Sequence, residues 1–101
     1  MQKIYTMESL PPDVQKYRTA GIWWGHEIPK GLFKKHNTAR GVWGVLTVHQ
    51  GAITYYDYAT DSAITLVAPA IGVIPTQKYH HIEIGEGFIP EQVKIQVDFY
   101  R

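Results

Sequence analysis

The sequence predicts an all-β domain, built as a two-sheet sandwich or a small barrel. Three observations carry this expectation: residues alternate strictly from Gly41 to His49, turn-forming residues recur about every 8–12 residues, and no helical run exceeds about two turns. About seven to nine short strands fit that pattern.

The elements follow in order. Residues 1–12 lack periodicity and end in Leu10-Pro11-Pro12, an extended lead-in. Asp13 is placed to cap one short turn running through Arg18. Trp23-Trp24-Gly25-His26-Glu27-Ile28-Pro29 mixes bulky aromatics with Gly and Pro, so it reads as an edge strand or covering loop whose tryptophans close one end of the core. Gly31 to Lys35 is a short apolar and basic run ending at His36.

From Gly41 to His49 both faces are largely apolar, which predicts a strand covered on both sides. Gln50-Gly51 then supplies a tight turn, and Ala52 to Tyr58, rich in β-branched and aromatic residues, is expected to return as the partner of a hairpin. Thr60-Asp61-Ser62 turns again, Ala63 to Ala68 forms a strand, Pro69-Ala70 breaks it and Ile71 to Ile74 resumes. Pro75 stops ladder pairing because it has no N–H. His80 to Ile84 alternates, Gly85-Glu86-Gly87 interrupts, and Val93, Ile95, Val97 and Phe99 mark the core face of a last strand. No internal repeat, linker or low-complexity tract interrupts the chain, so residues 1–101 read as one domain.

Composition narrows the function. At 101 residues, 45% of them apolar, the chain can bury a core without disulfides or metals. With no cysteine, any metal must be held by His, Asp, Glu or water. A net charge of +1 gives no nucleic-acid footprint, and no apolar run is long enough to span a bilayer. The N-terminus shows no secretory signal, so the cytoplasm is the expected compartment. Strand-edge pairing into a homodimer is a further expectation for a small β domain.

Five histidines set the candidate chemistry. His36 precedes the strand that starts near Gly41, and His80 opens another. If those strand ends meet at one mouth, the two imidazoles can share a divalent metal such as Zn or Fe, because imidazole suits both. Asp98 or Glu83 would complete a two-His, one-carboxylate face. Alternation places His80 with Ile82 and Ile84, while His81 and Glu83 point the other way; Asp98 likewise lies opposite Val97 and Phe99. The simpler alternative is a hydrogen-bonded histidine cluster without metal. His49 and His26 read as surface residues, the latter paired with Glu27. Lys35 and Arg40 read either as a solvated rim or as a mouth that attracts a small anionic ligand. Trp43 and Tyr55 read as core packing or as the aromatic wall of a ligand pocket.

The run His36-Asn-Thr38-Ala-Arg-Gly41-Val42-Trp43-Gly44-Val-Leu46-Thr-Val48-His-Gln-Gly51, followed by Tyr55, resembles the signature of the TehB/YeaR-like domain family. Leu10-Pro11-Pro12-Asp13-Val14, Gly72-Val73-Ile74 with His80, and the closing Val97-Asp98-Phe99-Tyr100-Arg101 agree with it. The resemblance implies a small cupin-like double-stranded β-barrel or sandwich, found alone or fused to tellurite-resistance methyltransferases, and a role around tellurite or related oxyanion stress. Against the wider cupin pattern, the Pro75 to His80 spacing fits the second motif, with Gln77 in place of a glycine. His36 takes the first histidine position of the first motif, Thr38 stands where a second is expected, and Trp43-Gly44 falls near the expected glutamate. Two of four usual ligands are therefore missing, which raises Asp98 and Glu83 as substitutes. The resemblance is to the domain and not to the methyltransferase, so methyl transfer is not expected of residues 1–101. Three functions remain: a metal-holding binder of a small anion, a metal-free binding or sensing module, and an interaction domain for a methyltransferase partner.

Overall fold

The computed structural model describes residues 3–4 and 9–101, and most of the extended lead-in expected over residues 1–12 lies outside them. Among the described residues eight strands run in chain order: β1 (Lys3–Ile4), β2 (Lys16–Trp24), β3 (Trp43–Gln50), β4 (Ala52–Asp57), β5 (Ser62–Val67), β6 (Ala70–Ile74), β7 (His80–Ile84) and β8 (Lys94–Tyr100). Three single 3-10 turns, at Gly25–Glu27, Lys30–Phe33 and Pro90–Gln92, account for the remaining helical geometry among the described residues.

The strands form two sheets, one of five in the order β1-β6-β3-β8-β2 and one of three in the order β5-β4-β7. They face each other as an open sandwich and do not close into a barrel. Side chains from both inner faces meet in one core: Leu46, Val48, Ile95 and Val97 from the larger sheet against Ile53, Tyr55, Leu66 and Ile82 from the smaller. Leu46, Ile53 and Leu66 are each 1% exposed or less. Removing an aliphatic side chain of that size from water stabilises the fold by about 1.5–3 kcal/mol.

Strand β3 alternates as predicted, but the second sheet covers only one of its faces, that of Leu46 and Val48, while the other leaves Trp43 and Thr47 half-buried and His49 exposed. Its two edges are taken by β6 and β8, both antiparallel. That occupancy overturns the hairpin expected at Gln50-Gly51. β4 does not fold back onto β3 but turns a corner into the other sheet, where it pairs with β5 and β7. Gly51 makes the corner in the left-handed region, at φ +72°. A Cβ there would meet the Gln92 carbonyl oxygen and Val93 Cγ2 at 2.8 Å. The hairpin in this region is β4–β5, closed around Tyr58 to Asp61.

The N-terminal third also differs from expectation. The turn foreseen from Asp13 through Arg18 is strand from Lys16 onward, because β2 finds a partner in β8 and Gln15 exchanges backbone hydrogen bonds with Arg101. Trp23 and Trp24 lie on this outer strand as the aromatic pattern predicted, with Trp23 packed against the core. Two register shifts interrupt the β2–β8 ladder, between Lys16 and Arg18 and between Thr19 and Gly21.

Gly51→Ala should lower stability by about 1–3 kcal/mol through backbone strain and crowding against Gln92 and Val93. Urea titration against the parent checks this; an unchanged midpoint would show that the corner tolerates a side chain.

Candidate functional site

The site begins with backbone. Loop residue His36 and the first residue of β7, His80, form an isolated antiparallel bridge in which each N–H donates to the other's carbonyl, at 3.0 and 2.8 Å. Residues paired this way project their side chains to the same face. The two rings accordingly meet edge to face, with centroids 4.3 Å apart. Further bonds extend the seam. The Gln77 N–H donates to the Thr38 carbonyl at 2.9 Å, the Thr76 hydroxyl donates to the Ala39 carbonyl at 3.0 Å, and the Gly41 N–H donates back to Thr76 Oγ1 at 2.9 Å.

Both imidazoles are oriented alike. His36 Nδ1 meets the Lys34 carbonyl at 2.7 Å and His80 Nδ1 meets the Lys78 carbonyl at 2.8 Å. A carbonyl can only accept, so the neutral rings carry hydrogen on Nδ1 and a lone pair on Nε2. Tyr55 stacks on His80 at 5.3 Å with the planes 22° apart, supporting the ring from the core side. His80 is 2% exposed. Burial pushes its pKa from the ordinary 6.5 down to about 4, despite the opposing Lys78 carbonyl, and the adjacent His36 adds to the fall. His80 is therefore neutral at physiological pH.

The pair lines a cavity of about 220 Å³ between the sheets. Leu32, Val42, Leu46, Ile82 and Phe99 are among its apolar walls, and Arg18, Asn37, Thr38 and the two histidines supply polar groups. Arg18 stands opposite Phe99 in the β2–β8 register, which places the guanidinium's strand position on the cavity side of the sheet. It is the cationic residue of the wall.

The other candidates are distributed differently. Asp98 does not join the histidines. It faces away from Val97 and Phe99, accepts from Thr19 Oγ1 at 2.6 Å and from Gln96 Nε2 at 3.1 Å, and lies 3.8 Å from Lys16 Nζ. Period-two geometry forbids it from sharing their cavity. Glu83 is on the solvent side of the three-stranded sheet, 2.7 Å from His81 Nε2. Lys35 Nζ lies 5.0 Å from the ring centroids of Tyr58 and Tyr79, also outside the cavity. Arg40 is exposed in the turn closed by Val42 N–H and the Ala39 carbonyl. Trp43 pairs with Tyr100 on the face opposite Val42, so it is not a cavity wall, and Tyr55 serves the site from behind His80. His49 bonds Gln96 at 2.9 Å on the exposed side.

Two residues that the sequence reading passed over matter here. Arg18 was assigned to a turn, and only its pairing with β8 brings it to the cavity. Asp57, 4% exposed, stands directly opposite His80 on β4 and accepts from the Ala59 N–H at 2.8 Å. The Ile53, Tyr55, Asp57 alternation carried a readable signal for an inward carboxylate.

As a metal centre the donor set is incomplete. Anchored Nδ1 atoms orient imidazoles as metal ligands require, but two nitrogens fall short of the three or more protein ligands usual for zinc. Among the described residues, no three His, Cys, Asp or Glu side chains gather to hold an ion.

The model of the TehB-like domain matches residues 17–89. The chain belongs to the TehB-like domain family. It is 28% identical to the uncharacterised protein YeaR of Escherichia coli strain K12, over 93% of this chain and 83% of that protein. It is also 29% identical to TehB of Haemophilus influenzae strain 10810, a probable S-adenosyl-L-methionine-dependent methyltransferase, over 66% of this chain and only 25% of that one. A crystal structure of a protein from E. coli strain K12 superposes with a TM-score of 0.82 at 27% identity, covering 94% of this chain and 97% of the other. The crystal structure of H. influenzae TehB superposes at 0.75 and 22% identity over 88% of this chain and 32% of that protein, a likeness of fold. The chain thus aligns with 25% of the longer H. influenzae protein and with 83% of YeaR.

Two measurements test the TehB-like site as drawn. Because the folded state resists protonating His80 while the unfolded chain accepts a proton near 6.5, stability should fall as pH drops from about 6.5 to about 4, by about 2–3 kcal/mol. Denaturant titrations across that range should show the loss, and His80→Asn should remove this part of it. Asp98→Ala should cost about 1–3 kcal/mol by stranding Thr19 and Gln96, read as a lower midpoint in urea titration against the parent.

Proposed function

We propose that this TehB-like domain is a binding or sensing module for a small molecule with an apolar body and an anionic head. The observation that carries the reading is the cavity of about 220 Å³, apolar along its walls with Arg18 among its polar residues. That volume is below the roughly 300–1,000 Å³ of sites for drug-sized ligands, which favours a compact metabolite or oxyanion. A guanidinium holds carboxylates and oxyanions through paired N–H donors. His80, held neutral, supplies an acceptor rather than a second positive charge, so a ligand hydroxyl or amine would be matched at the imidazole pair. The role around tellurite or related oxyanions that the family resemblance implies makes tellurite a natural first probe beside small carboxylic acids.

A second reading keeps a divalent ion, Zn or Fe, on the two imidazoles, with water or the bound anion completing its shell. The anchoring of both Nδ1 atoms on carbonyls favours it.

Thermal-shift titration of chelator-treated protein with tellurite and a panel of small carboxylates separates the readings. The binding module should be stabilised by one of these without metal, and Arg18→Met should weaken that ligand by about 10-fold or more, in line with loss of a charge-assisted pair worth about 1.5–3 kcal/mol. Stabilisation that appears only after Zn or Fe is restored, and that His36→Ala abolishes, would favour the metal reading. No stabilisation in either arm would reject both.

A further inference from the structure

The outer face of the three-stranded sheet carries a second ordered array, separate from the cavity. Alternation turns Tyr56 outward on β4 and His81 and Glu83 outward on β7, with Tyr56 directly opposite His81. Tyr58, the first residue beyond β4, has its hydroxyl 2.7 Å from His81 Nδ1, and His81 Nε2 lies 2.7 Å from Glu83 Oε2. An ionised carboxylate only accepts, so the Nε2 hydrogen points to Glu83 and Nδ1 offers its lone pair to the phenol. Tyr56 stacks on the imidazole at 5.1 Å, with planes 17° apart, and fixes the ring. Lys35 Nζ lies over the Tyr58 ring, 5.0 Å from its centroid, and adds a positive charge to the surroundings of the phenol.

We propose that Tyr58, His81 and Glu83 act as nucleophile, base and orienting group, making Tyr58 an acyl-accepting site for activated acyl donors such as thioesters and aryl esters. The order matches what an activated nucleophile needs: a base within hydrogen-bond reach, itself held by a third group. Access is available, since Tyr58 is 37% exposed while the His81 side chain, at 13%, is held in place. In the transfer, the Tyr58 oxygen bonds to the acyl carbon as that carbon's bond to the leaving group breaks. The phenolic proton passes to His81 Nδ1, Glu83 stabilises the resulting imidazolium, and the leaving group departs as thiolate or phenolate. No oxidant, reductant or metal enters the balance.

Other tyrosines provide internal references. Tyr79 is 50% exposed and shares the Lys35 ammonium at 5.0 Å, so it reports access and charge without His81. Tyr17, 41% exposed, lies under the Arg101 guanidinium at 4.0 Å. Tyr56 donates to Asp61 at 2.5 Å, so its hydroxyl hydrogen is directed to a carboxylate and not to His81.

The test treats the intact protein with p-nitrophenyl acetate and follows acetylation of each tyrosine by peptide mass spectrometry. Tyr58 should react at least about 10-fold faster than Tyr79 and Tyr17, a threshold set below the roughly 10²–10⁴-fold that a positioned base contributes. His81→Gln should bring Tyr58 to the Tyr79 rate, and Glu83→Gln should give a smaller loss, with Tyr17 unchanged in both. A Tyr58 rate no greater than that of Tyr79, or one unaffected by His81→Gln, would overturn the proposal. Should His81→Gln fail to fold, Glu83→Gln decides alone, and an unchanged Tyr58 rate there would overturn it equally.

Discussion

The paired backbone hydrogen bonds between His36 and His80 are the constraint on which the site depends. They join a loop to the first residue of β7 in a single narrow pair, and the flanking bonds through Thr38, Ala39 and Thr76 extend the seam. Side chains of residues so paired must share a face, so the contact between the two imidazoles follows from the backbone rather than from any attraction between rings. The same seam holds Asn37 and Thr38 at the cavity wall. Each ring is then fixed by a local bond from Nδ1 to the carbonyl two residues earlier, which leaves Nε2 as the chemically available edge of each.

Consecutive histidines on one strand consequently occupy unlike surroundings. His80 faces the core side, neutral and nearly sealed, while His81 faces outward between Tyr56, Tyr58 and Glu83. A strand with period two does this at no structural cost, since its two faces see different dielectrics. The burial that keeps His80 uncharged also removes it as an attractor of anions, and that leaves Arg18 to set the electrostatic character of the cavity.

The larger sheet explains why β4 joins the other layer. With β6 and β8 on its two edges, β3 has no hydrogen-bonding capacity left for β4, so the chain must leave the sheet at Gly51 and begin the second layer. Asp98 belongs to this scaffold. Its carboxyl gathers Thr19, Gln96 and Lys16 on the outer face and ties β2 to β8, which in turn sets the position of Arg18 one residue before Thr19.

The all-β class, most strand positions, the inward face of His80 and the outward faces of His81 and Glu83 were legible in the sequence, because period-two alternation and turn residues are local properties. The family was legible too, from the Gly41 to Gly51 block and its neighbours, and the TehB-like match bears that out. What the chain could not reveal by itself is which strand edges meet. Only tertiary pairing turned the Gln50-Gly51 corner away from a hairpin, recruited Arg18 from an expected turn into β2 and set Asp57 opposite His80. Those outcomes rest on hydrogen bonds between residues far apart along the chain, and competition for strand edges is decided by the whole fold rather than by any segment's own preference.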